Sequence, residues 1–98
     1  MKNFRKALNT QDFVITSEIF LRPETDANSI KMQADILRDY VDAILITDNQ
    51  SGRIHMSTLA AGALLIAAGV DPIVQLSCRN RNRISLLSDL LGCSALGI

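Results

Sequence analysis

Glu18 is the only charge after Asp12 in DFVITSEIF (12–20), a stretch rich in β-branched and aromatic residues. An unpartnered carboxylate in a covered strand is expensive. Desolvation there would raise its pKa and suit it to general acid work. The same residue reads equally well as a Glu paired with a nearby Arg. A second group of chemistry-bearing residues follows in TDNQ, where Thr47, Asp48, Asn49 and Gln50 place a hydroxyl, a carboxylate and two amides in succession. Such a row can grip a heterocycle with alternating donors and acceptors, although loops often carry similar tetrads. A third group is QLSCR, with Gln75, Ser77, Cys78 and Arg79. His55 is the sole histidine, and its place in a polar loop before a helix favours a surface residue over a base.

Arg79, Arg81 and Arg83 crowd five positions between an apolar stretch and an amphipathic one. Positive side chains at a helix start oppose its macrodipole, and an anion held there would reverse the sign of that interaction. This arrangement hints at a phosphate or carboxylate ligand. The competing reading pairs the arginines with acidic groups on neighbouring loops, and it is somewhat favoured for Arg81 and Arg83.

These groups need elements to hold them at one end of a fold. Strands are predicted at 12–20, 41–48 and 71–78. Between the first two, Ile30, Ala34, Leu37 and Val41 form a helical stripe, with Lys31, Asp35, Arg38 and Asp39 off it as a solvated face. Thr25 or Asp26 can cap that helix. NQSGR (49–53) has turn chemistry. A second helix, MSTLAAGALLIAAG (56–69), is rich in small residues and closed by Gly69 at C′. The third, 83–92, has Asn80 or Asn82 as N-cap and Gly92 after it, and SALGI then begins another strand. Met32 and Met56 are packing residues.

Strand starts near 13, 43 and 73 repeat at about thirty residues. The fold class is therefore α/β, with repeated βα units and parallel strands. It matches the first three units and the start of a fourth of a (β/α)₈ TIM barrel, whose eight units need about 250 residues. Right-handed crossovers join such strands almost without exception. A doubly wound sheet shares the alternation, but no G-x-G-x-x-G follows the first strand. In either architecture, ligands gather at the carboxyl ends of the strands, where Glu18, Thr47–Gln50 and Gln75–Arg79 fall.

The totals exclude several functions. Ten basic and ten acidic residues give no net charge, and one Tyr, three Phe and no Trp leave little for stacking bases, which argues against nucleic acid. Cys78 and Cys93 form no C-x-x-C and have no histidine at metal spacing, so they read as reduced thiols in a cytoplasmic protein. The start, MKNFRKALNTQDF, has no apolar signal region. The most apolar run, Leu59–Val70, is too short to span a membrane, which takes about twenty residues.

Read in order, FVITSEIFLRP, VDAILITDNQ, GRIHMSTLA and PIVQLSCRNRNRISLLSDLLGCSALGI resemble the opening third of methylenetetrahydrofolate reductase, from about Asp12 to Ile98. The likeness is to the bacterial branch that writes C-R-D-R-N after the third strand. It implies a flavin-dependent barrel that passes hydride from NAD(P)H to FAD and then reduces methylenetetrahydrofolate to methyltetrahydrofolate. By this resemblance Glu18 corresponds to the acid that protonates the folate and opens its ring. Thr47 matches a residue near the shared nicotinamide and folate position, and Asp48 and Gln50 match flavin-contacting positions. Gln75 stands where many members have a flavin-contacting His. The family's T-G-D motif lies beyond Ile98, so the expectation for these 98 residues alone is an incomplete barrel. Such a chain would hold no flavin and would escape its open edges by homo-oligomerisation. The alternatives are a related barrel serving a methyltransferase and a non-catalytic, self-associating βα module.

Overall fold

A computed structural model describes residues 3–98. Three parallel strands, β1 (Thr16–Ile19), β2 (Ala43–Ile46) and β3 (Pro72–Val74), lie in the order β1-β2-β3. The register pairs Thr16 with Ala43 and Ile19 with Ile46, then Ile44 with Pro72 and Ile46 with Val74. Helix α1 (Asn3–Thr10) precedes the sheet, α2 (Ala27–Leu37) joins β1 to β2, and α3 (Thr58–Ala67) joins β2 to β3. Helix α4 (Arg83–Leu96) follows β3. The alternating parallel βα order is that expected from the sequence, and it is compatible with one sector of a barrel.

The core lies on a single face of the sheet. Ile19, Ile44 and Ile46 pack there against Ile30 and Ala34 of α2 and Ala61 and Leu65 of α3. Ile30, Ile44, Ile46 and Leu65 are fully buried, worth about 1.5–3 kcal/mol each. Gly62 lets α3 approach β3 closely, since a Cβ there would come within 2.9 Å of Ile98 Cδ1 and 3.0 Å of Val74 Cγ2. The alternate positions point to the other face. Thr16, Glu18, Phe20 and Gln75 are exposed there, and Leu45 and Ile73 are half-buried. The first strand was expected to be largely covered. It is covered on one side only, because among the described residues neither β1 nor β3 has a strand partner on its outer edge and no second layer faces them.

Local chemistry sets the helix starts. Asp26 accepts from the Ser29 N–H at 2.9 Å, Ser57 from Ala60 at 3.2 Å and Asn82 from Ser85 at 2.8 Å. Gly69 has φ 82°, the left-handed conformation that ends α3. Two sequence expectations fail. Gly92 does not end the last helix, and SALGI is not a strand: α4 runs on to Leu96 and stops at Gly97, with φ 81°. The physical reason is contact with α3, because a Cβ on Gly92 would meet Leu59 Cδ2 at 3.0 Å. That glycine serves a close approach and not a stop. Helix α1 was also unforeseen. Its orphan Phe4 N–H donates to the carboxylate of Asp71 at 2.8 Å, a cap supplied from the start of β3.

Candidate functional site at the strand carboxyl ends

The loops leaving β1, β2 and β3 meet at one end of the sheet, but they divide into two parts of different character. On the β2–β3 side, Asp48 and Arg81 form an ion pair whose side chains are 3% and 14% exposed. Asp48 Oδ2 accepts from Arg81 Nη1 and from the Ser77 N–H, while Oδ1 lies 3.4 Å from Arg81 Nη2. Arg81 also donates to the Ser77 carbonyl through Nη1 and to Asp89 through Nε, each at 2.8 Å. Burial pushes the Asp48 carboxyl up. The hydrogen bonds from Arg81 and Ser77, with the charge of Arg81, outweigh it and hold the group below its ordinary value. The hydrogen bond to Asp48 holds Arg81 above its usual value against the opposing effect of burial.

Arg81 therefore follows the pairing reading. Arg79 and Arg83 are exposed, and neither forms an ion pair among the described residues. Cys93 is buried on α4, where burial and then the Asp89 charge raise its thiol above the usual value, with Arg81 opposing. Cys78 is exposed, and both cysteines are free thiols. Among the described residues, no three His, Cys, Asp or Glu side chains gather as a metal site.

On the β1–β2 side lies a cleft of about 310 Å³, bordered by Phe20, Arg22, Thr47, Gln50, Arg53 and His55 among others. Its floor is the buried Thr47. One wall is a short 3₁₀ turn, Gln50–Gly52, in which Asn49 and Ser51 both take positive φ, 46° and 58°. Non-glycine residues in that region cost about 1–3 kcal/mol and persist only where their surroundings impose them. His55 holds the Asn49 end of the turn. Its Nε2 accepts from the Asn49 N–H at 2.8 Å, which leaves Nδ1 to donate to the Met56 carbonyl at 2.6 Å. Asn49 Nδ2 then donates to the Arg53 carbonyl at 2.7 Å. The expected surface histidine is half-buried, and it pins the loop. The signal available in the sequence was Asn-x-Ser-Gly ahead of a lone His, which is too common to single out.

Five residues were singled out as candidate site residues, and the fold treats them differently. Thr47 and Gln50 share the cleft. Glu18 is exposed and borders a neighbouring cleft against α2, which has Phe20 and Arg22 in common with the first. The low-dielectric surroundings expected for Glu18 are thus missing. No arginine pairs with it among the described residues either. Gln75 is exposed, and its N–H extends the ladder to the Ile46 carbonyl at 3.2 Å. Asp48 is placed at this end but committed to Arg81, so its carboxylate is not a free ligand group. Thr58 Oγ1, in the first turn of α3, is the one buried side-chain polar atom without a partner among the described residues.

Fold and site together define a parallel α/β chain with its candidate site at the carboxyl ends of adjacent strands. No family profile, curated protein or solved structure matches it.

Proposed function

We propose that this chain forms the opening βα units of a flavin-dependent reductase of the methylenetetrahydrofolate reductase type, with a (β/α)₈ barrel as the full architecture. The observation that carries the reading is the common placement of Glu18, Thr47, Gln50 and Gln75 at one end of three successive parallel strands, in the order of the motifs. Thr47 and Gln50 supply a hydroxyl and an amide that suit the edge of a flavin ring. At about 310 Å³ the cleft lies at the low end for a ligand site, so it has room for a ring system and not for a whole dinucleotide. The remainder of such a cofactor would need walls from other chain segments.

When bound, the flavin supplies hydride transfer between NAD(P)H and the folate. The task of this chain's residues is to orient the ring and deliver a proton. Glu18 is the residue that would deliver that proton, and closing the barrel over its exposed side chain would take it out of water. Asp48 contributes by fixing Arg81 and the loop after β3.

The test uses the full encoded protein purified from its own cells, followed anaerobically by stopped flow. Glu18→Gln should leave reduction of the flavin by NAD(P)H unchanged and slow folate reduction about 10²–10⁴-fold, the usual value of positioned acid catalysis. Equal loss in both half-reactions would remove Glu18 from this role. A protein with no flavin and no NAD(P)H oxidation would end the reading.

A second reading, a self-associating βα module, is favoured by surface area. The chain exposes 6483 Å². A compact monomer of 10.7 kDa exposes about 5500 Å². The excess, about 1000 Å², is comparable with the share one partner gives to a stable interface, about 800 Å². Light scattering after size exclusion tests the self-association. A dimer would support the module, and a stable 10.7 kDa monomer would overturn it.

A further inference from the structure

The cleft beside β2 is lined by two guanidinium groups and no carboxylate. Arg38 and Arg81 are satisfied elsewhere by Asp35, Asp48 and Asp89. Arg22 and Arg53 have no ion-pair partner among the described residues. Glu18 and Glu24 border the adjoining cleft next to Arg22, yet neither closes within ion-pair distance of it. Two unpaired cations at one concave spot repel each other unless an anion lies between them.

The backbone adds to this. The hand of the chain changes on either side of Gln50, with φ positive at Asn49, Ser51 and Gly52 but not at Gln50. A change of that kind turns successive N–H groups toward one point and makes an anion-binding concavity. Gly52 N–H is used by the Asn49 carbonyl and Arg53 N–H by the Gln50 carbonyl. The N–H groups of Gln50 and Ser51 have no partner among the described residues. His55 and the Asn49 side chain hold this loop in place before any ligand arrives, so little ordering remains to be done on binding. Beside it, Phe20 stands 60% exposed, leaving much of an aromatic side chain open to solvent.

We propose that this cleft binds a phosphoryl group, between Arg53, Arg22 and the Gln50 and Ser51 N–H groups, with an aromatic part of the same ligand lying on Phe20. The flavin reading assigns a ring edge to this same cleft, so the two occupants compete for it, and the inference rests on the arginines and the loop and not on that reading. Phosphate binding in a protein that takes up no flavin would leave it standing while removing that reading.

Inorganic phosphate and phenyl phosphate, titrated into the ¹⁵N-labelled chain at constant ionic strength, separate a free anion from one carried on a ring. Both should move the Gln50 and Ser51 amide resonances saturably. Phenyl phosphate should bind about tenfold more tightly, as expected for stacking one ring on an aromatic side chain. Phe20→Ala should abolish that difference. Arg53→Gln should weaken both probes about tenfold or more, through loss of a charge-assisted contact. Arg5→Gln and Arg83→Gln, exposed and outside the cleft, should change binding less than twofold, and thermal melting should show every variant folded. Shifts that do not saturate, that chloride reproduces, or that Arg83→Gln weakens as much as Arg53→Gln would overturn the phosphoryl site. Equal affinity for the two probes would overturn the ring contact.

Discussion

The two halves of the strand-end surface are built from the same residue types and end in opposite states. Beside β3, Asp48, Arg81, Asp89 and the Ser77 backbone satisfy one another, and the ion pair is almost out of solvent. Beside β1, Glu18, Arg22 and Arg53 stay exposed and make no ion pair among the described residues. A charged group near a strand end is therefore no guide to ligand binding until its partners are known. The tied half is a clamp that fixes where the loop after β3 runs. The open half keeps its hydrogen-bonding capacity for something else.

The largest effect that separates the halves should come from the clamp. Asp48→Ala leaves Arg81 with one carboxylate fewer in a largely buried setting, and about 3–5 kcal/mol of stability should be lost, measured by urea unfolding. The double variant Asp48→Ala/Arg81→Ala should lose less than the two single losses combined, because the buried Asp48–Arg81 pair is removed whole and only Asp89, 34% exposed, is left without its arginine. Strict additivity would mean that the pair is not a clamp. The pH dependence has a fixed sign. The folded Asp48 carboxyl lies below its ordinary value of 3.8, so its stabilisation is fully present above that pH and is lost as pH falls through the folded value. The gap between the native chain and Asp48→Ala should shrink in acid below about pH 4. A gap that stayed constant there would break the assignment.

A smaller effect is expected at the loop between the halves. His55→Ala removes the acceptor for the Asn49 N–H and the donor to the Met56 carbonyl, and should cost about 1–3 kcal/mol. It should also speed amide exchange at Asn49 and Gly52 with little change at Ser77. The smallest effects belong to the open half, where Arg22→Gln should change stability by no more than about 0.5 kcal/mol, as for most surface substitutions. A larger loss on thermal melting would show that Arg22 is paired in solution and would erase the contrast.

Element order was legible in the residues because it depends on short-range pattern. The Ile30, Ala34, Leu37 stripe, the Asp26 and Asn82 caps and the Gly69 stop all act within a turn or two of chain. The parallel order β1-β2-β3 followed from the thirty-residue spacing and the handedness of the crossovers. The end of α4 was misjudged because Gly92 has two uses, helix stop and close contact, and only the position of Leu59 distinguishes them. Helix α1 escaped notice because its cap, Asp71, lies 67 positions away.

The site divides along the same line. Residue types and spacing sufficed to bring Glu18, Thr47, Asp48, Gln50 and Gln75 to one end of the fold, since strand alternation and parallel connection require it. They could not say that Asp48 would be claimed by Arg81, 33 residues on, or that Glu18 would stand in solvent. Those outcomes depend on which charges meet across loops and on whether a second layer covers the open face of the sheet. Both are settled by packing at a distance, and short-range pattern carries no information about it.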